Sequence, residues 1–218
     1  MKILAFRLAL ALFVAAFVFS AGAMAQDDQY AVSIKRFQNQ REKTFRTANE
    51  SPLTKKSLEN FASLSYFEVK PAYRIAAKFT PSNNQTPFQA ETFYNNPKVP
   101  LVERGTLKFT LDGKEYSLKV YQREEVQKGK TKVISSYAFV PFLDATNGNE
   151  TFSGGRYVDL SKTLTENVTL DFNLAYTPDC AYNKKFICPV APAENRLDAR
   201  IEAGEKVYAE GLDSKPKK

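Results

Sequence analysis

The chain has no histidine and no tryptophan, and only two cysteines among its 218 residues. Without histidine there is no Ser-His-Asp or Cys-His activation, no imidazole ligand for zinc or haem, and none of the commonest general bases. The two cysteines, Cys180 and Cys188, lack the C-x-x-C spacing of a redox motif. No apolar run reaches the roughly 20 residues needed to cross a bilayer. The longest, Leu8 to Phe19, has 12.

That short run has a function of its own. Lys2 and Arg7 precede it and Ala23-Met24-Ala25 follows it, the order of a secretory leader with an A-x-A cleavage site. The leader is expected to span residues 1–25, with the mature chain starting at Gln26 and exported to the periplasm or beyond. No membrane anchor is expected after cleavage. The mature part then carries 29 basic and 24 acidic residues. Its lysines are scattered rather than gathered on one face, which argues against a nucleic-acid partner.

What is abundant is Phe (17) and Tyr (11), a composition that leans towards strands. Tyr30, Ile34, Phe37, Arg41 and Phe45 follow helical spacing after the capping pair Asp27-Asp28, so a helix is expected up to Arg46, ended by Ser51-Pro52. A second short helix is expected around Thr54 to Phe61. From Tyr66 on, strands take over: Tyr73–Phe79, Glu91–Asn95, Leu101–Leu111, Lys114–Arg123, Thr131–Phe142, Arg156–Leu160, Val168–Tyr176, and a last strand or turn within Arg200–Val207. Asp112-Gly113 favours a type I′ turn, pairing Phe109 with Tyr116 and Leu107 with Leu118. The 131–142 stretch is apolar on both faces, as a central strand requires.

These elements predict an α+β fold, mainly antiparallel β, with N-terminal helices and a barrel-like sheet preferred over a sandwich. One domain is expected over 26–210, with a disordered lysine-rich tail at 211–218.

Candidate chemistry concentrates in the second half. Cys180 and Cys188 in an exported chain read as a disulfide. Asp144 and Asn147 open a Gly-bearing loop that Gly154-Gly155-Arg156 closes. Such glycines can present N–H groups to an anion while Arg156 supplies charge, although the same residues also satisfy ordinary turn geometry. Asp144, Asn147, Asn149 and Glu150 match no calcium-loop spacing. Asp171 and Asn173 share the polar face of their strand, and Arg156 is the expected partner of a buried Asp171. Tyr176, Glu194 and Asn195 complete the polar set.

At these residues the chain resembles a family. Phe142–Tyr157, Leu170–Tyr176, Cys180-Ala-Tyr182, Cys188-Pro189, Glu194-Asn195-Arg-Leu197 and Ala203-Gly-Glu205 look like the DUF1684 family of bacterial and archaeal proteins of unknown function. Ser51-Pro52-Leu53 and Leu64–Phe67 extend the likeness over nearly the whole mature chain. Phe152 and Thr177-Pro178 depart from the family pattern, which has Tyr and Asn-Pro there. The resemblance implies one domain and a shared polar cluster, with no substrate or cofactor attached. The expectation is a small polar or anionic ligand held by Asp144, Asn147, Arg156, Asp171, Asn173, Tyr176, Glu194 and Asn195. Competing expectations are a histidine-free hydrolase using Asp171, Glu194 or Cys180, and a purely structural envelope protein.

Overall fold

The computed structural model describes residues 28–127, 130–133, 137–161 and 163–208. The leader and the lysine-rich tail lie outside them. The chain divides into two units, residues 1–40 and 41–218. Within the first unit the described residues are helical, with Ile34 and Gln38 buried. The helix α1 covers 28–46, as its spacing predicts, and its last turn belongs to the second unit.

In that second unit, α2 (Lys55–Glu59) starts where the Thr54 side chain accepts the Ser57 N–H, an N-cap. Eight strands follow: β1 (Arg74–Pro81), β2 (Phe88–Ala90), β3 (Val99–Leu111), β4 (Lys114–Gln127), β5 (Lys130–Val133), β6 (Ala138–Phe142), β7 (Arg156–Leu160) and β8 (Asn167–Asp171). They form one antiparallel sheet, ordered β7-β6-β4-β3-β1-β8, with β2 added to β3 and β5 to β4. The sheet curls into a half-barrel. Beyond β8 the chain returns to β7, where Tyr157 and Tyr176 exchange two backbone hydrogen bonds of 2.9 Å each.

The β3–β4 hairpin has the expected register, Phe109 opposite Tyr116 and Leu107 opposite Leu118. Asp112 and Gly113 both take positive φ, 50° and 77°, as a type I′ turn demands. All five residues of β6 are buried, which fits its two apolar faces. One side of the sheet packs Phe79, Leu107, Leu118, Val120, Val140 and Phe172. The other packs Phe61, Leu101, Tyr121, Phe139, Tyr157 and Tyr182. The second face is covered only in part, since β1 and the tip of the β3–β4 hairpin keep one exposed side, at Arg74, Ala76, Lys78, Lys108 and Thr110.

Three expectations need correction, and one open alternative is settled. The 131–142 strand is two, β5 and β6, which pair with different stretches of β4. The strand expected at 91–95 is a 3-10 turn, Phe93–Asn95, and the short strand lies earlier, at β2. The 168–176 strand stops at Asp171, whose side chain accepts the Asn173 N–H and bends the chain into a 3-10 turn. Residues 200–207 form no strand. They cross the half-barrel with a single bridge from Glu205 to Tyr66.

Candidate functional site

Arg156 does not meet Asp171. It follows Gly155 at the start of β7 and lies fully inside, paired to Asp144 with Nη2 donating to Oδ2 at 2.8 Å. The two terminal nitrogens also donate to the carbonyls of Ile201 (2.8 Å), Ala203 and Glu205 (3.4 Å), while the buried Nε–H has no partner among the described residues. The other carboxylate oxygen of Asp144 accepts from Thr146 N (2.7 Å), Thr146 Oγ1 (2.6 Å) and Ile201 N (3.4 Å). Asn147 closes the same turn, accepting the Asp144 N–H at 2.7 Å and donating to Thr151 at 2.8 Å. The Gly-bearing loop therefore turns most of its polar groups on itself and ties residues 201–205 across the half-barrel. Its ordinary turn reading is the one the geometry fits.

Two other expected ligands are clamps. The Asn173 carboxamide accepts the Lys70 N–H and donates to the Lys70 carbonyl, both at 2.9 Å, while Asp171 holds it at 3.0 Å. Asn195 does the same to Lys119, accepting its N–H at 2.7 Å and donating to its carbonyl at 2.9 Å, and adds a 2.7 Å bond to the Pro141 carbonyl. The β4–β6 ladder has one paired position, Tyr121 with Phe139. Two residues further along, the strands are at Lys119 and Pro141, and there the Asn195 amide replaces a ladder bond that Pro141, without an N–H, cannot make. Glu194, beside it, is exposed.

Tyr176 leads to a different cluster. Its hydroxyl donates to Asp159 Oδ1 at 2.8 Å. Its ring packs edge-on against Tyr157 and lies 4.8 Å from the Arg41 guanidinium, which is 5.0 Å from the Phe45 ring on another side. Arg41 donates to Glu205 Oε2 at 2.6 Å and to the Thr177 carbonyl at 2.7 Å. Glu205 is wholly buried and also accepts the Tyr182 hydroxyl. Gly204 places it there. Its φ of 76° suits glycine, and a Cβ at this position would lie 2.5 Å from the Ala175 carbonyl oxygen.

Asp159 keeps an edge in solvent, yet burial raises its carboxyl to about 6, against the opposing pull of the Tyr176 hydrogen bond and Arg41. Both facts hold for a group in an open recess, where surrounding protein removes solvation without sealing the group off. Burial also raises the half-buried Asp179. The 44% exposed Tyr137 faces Asp159, Asp179 and Arg123. Burial raises its hydroxyl, the two acids push it further, and Arg123 opposes them. The recess this implies takes in Asp159, Tyr176, Tyr137 and Asp179, with Arg41 against the Tyr176 ring and Arg123 near Tyr137.

Of the expected residues, only Tyr176 belongs to this recess. Arg41 was visible in the sequence as the one charged position in the apolar stripe of α1. Asp159 had no such signal, since a lone acid in Arg156–Leu160 reads as the outward residue of an alternating strand.

Cys180 and Cys188 are buried neighbours beneath the same region, Cys180 N–H donating to Cys188 Sγ at 3.2 Å. They stand here as two thiols. The hydrogen bond to Cys188, followed by burial, pushes the Cys180 thiol far above its usual range, the reverse of what a thiolate nucleophile needs. Among the described residues no group of three metal-ligating side chains occurs.

Comparison with known proteins matches the chain to a family. The family model described as "Protein of unknown function (DUF1684)" matches residues 59–206. No curated protein matches. A solution NMR structure of an uncharacterized protein from Haloarcula marismortui is similar at 31% identity and a TM-score of 0.64, covering 85% of this chain and 98% of its own.

Proposed function

Because the chain belongs to the DUF1684 family, whose description records no activity, we propose a role from the site itself: an exported domain that binds a small polar ligand in the recess around Asp159. The observation that carries this reading is the Tyr176–Asp159 pair. A carboxylate open to solvent, oriented by one hydrogen bond of 2.8 Å and next to an exposed tyrosine ring, can accept from a ligand without giving up a structural contact. Arg156, Asp171, Asn173 and Asn195 lack that freedom, since their side chains are bonded to the fold. They hold the scaffold that presents the recess.

Export is supported by the leader pattern at residues 1–25 and by the placing of Cys180 beside Cys188. Joining them would close a short loop worth ~2.5 kcal/mol in the chain-entropy model. It would brace the 180–188 segment that adjoins the recess at Asp179. The protein purified from the compartment to which it is exported should begin at Gln26 and contain no titratable thiol when denatured without reductant. A mass still containing residues 1–25, or two free thiols, would remove this part of the reading.

Native mass spectrometry tests the binding role. Wild type should retain a small molecule that Tyr137→Ala and Asp159→Asn release while keeping their circular dichroism. Retention by both variants would exclude the recess.

One observation favours a second reading. A solvent-open carboxyl raised to about 6 is poised for general acid–base work near neutral pH. An enzyme of this kind would use Asp159 in place of Asp171, Glu194 or Cys180, and turnover lost in Asp159→Asn at unchanged fold is its test.

A further inference from the structure

The recess has a basic side as well as an acidic one. Across the sheet, Tyr121 of β4 stands opposite Phe139 of β6, and Phe139 opposite Asp159 of β7. Side chains alternate along a strand, so Arg123 leaves β4 on the same face as Tyr121. Arg123 therefore shares a face with Asp159 two strands away, and Tyr137, next to the start of β6, lies between them. Strand spacing puts the two backbones ~10 Å apart laterally and ~7 Å along the strands. No ion pair joins Arg123 to Asp159 among the described residues, and side chains stand off a sheet rather than along it, so the two charges flank the exposed Tyr137 instead of meeting.

Both charged groups are available. Arg123 is exposed, and its side chain makes no hydrogen bond or ion pair among the described residues. Asp159 is exposed and has one hydrogen bond, from Tyr176. The surface between them is apolar. Tyr137 is 44% exposed, and on the other side of Arg123, away from Asp159, Phe88, 43% exposed, packs edge-on against Tyr121. Phe88 also lies in the row of Arg123, since Phe88 pairs with Leu101 and Leu101 with Arg123. Asp179, facing Tyr137 as well, adds a second negative group on the acidic side.

We propose that the recess takes an amphoteric small molecule, with an ammonium or other N–H donor on Asp159, a carboxylate on Arg123, and an aromatic or aliphatic body against Tyr137. This rests on the reading of the recess as a ligand site. A purely anionic ligand would meet Asp159 and Asp179 unpaired, and a purely cationic one would meet Arg123. A molecule bearing both charges satisfies each end, and the guanidinium fork suits a carboxylate.

Three matched probes test it by calorimetric titration of the mature protein: L-phenylalanine, phenethylamine (which lacks the carboxylate) and 3-phenylpropionate (which lacks the ammonium). L-phenylalanine should bind roughly tenfold tighter than either analogue, the value of one charged hydrogen-bonded contact. Arg123→Gln should abolish its advantage over phenethylamine, and Asp159→Asn its advantage over 3-phenylpropionate, with circular dichroism unchanged in both. Equal affinities for the three probes, or an advantage that survives both variants, would overturn the proposal. If the probes are equal but a co-purifying molecule is lost in Tyr137→Ala, the recess remains a site and the amphoteric class falls. No binding by any probe and no co-purifying molecule would overturn both.

Discussion

Arg156 and Arg41 stand on opposite terms with the fold. Arg156 is fully enclosed, and its terminal nitrogens are distributed over Asp144 and three carbonyls. Arg41 meets one carboxylate and one carbonyl, keeps part of its side chain in solvent, and has its guanidinium close to the rings of Phe45 and Tyr176. The first is a cross-brace. The second orients a tyrosine whose hydroxyl reaches a solvent-open acid. Counting what each arginine is already bonded to distinguishes scaffold from site better than the charge itself does.

That contrast can be broken by mutation. Arg156→Met strands Asp144 in the interior and should cost about 3–5 kcal/mol in urea unfolding, enough to prevent accumulation of the folded protein. Arg41→Met leaves Glu205 buried with Tyr182 as its remaining side-chain partner and should cost about 2–3 kcal/mol. It should also move the Asp159 titration, followed by carboxyl NMR, above about 6, because Arg41 holds it down. If the Asp159 titration stays in place, Arg41 is a brace like Arg156. Asn195→Ala empties the ladder position between Lys119 and Pro141 and should cost about 2 kcal/mol, with faster amide exchange at Lys119.

Asp159→Asn should have the smallest effect, within about 0.5 kcal/mol at neutral pH for so exposed a group. Its signature is the pH slope. A raised carboxyl pKa means the folded state binds the proton more tightly than the unfolded one, so this group's contribution is present below about pH 4 and fades as pH rises through about 6. Relative to the variant, wild type should lose a little stability across that window. Tyr176, Arg41, Tyr137 and Asp179 are the groups facing it.

The hairpin register was legible because only one pairing of 101–111 with 114–123 keeps apolar residues together. The burial of β6 was legible from its two apolar faces. The break between β5 and β6 was not, since apolar residues continue on both sides of it and only pairing separates them. Asp171 and Asn173 were legible as buried polar residues in need of partners, but not as a strand terminator and a clamp on Lys70, because that partner lies 103 residues away. Asp144 and Arg156 were both marked, yet the ion pair was drawn to the wrong acid. Alternation placed Asp171 on the face where Arg156 was expected, whereas Asp144 sits in the turn that folds directly over it. The recess was the least legible part, as it depends on which strand faces look outward once the sheet has curled.

The paired bonds between Tyr157 and Tyr176 reach beyond the shape of the half-barrel. An open sheet ends in a row of unsatisfied amides that a neighbouring chain can extend, the first step towards aggregation. Here the returning segment covers β7 with the chain's own backbone. A newly made copy that reaches this closure has no bare margin at that point on which another molecule's strand can grow.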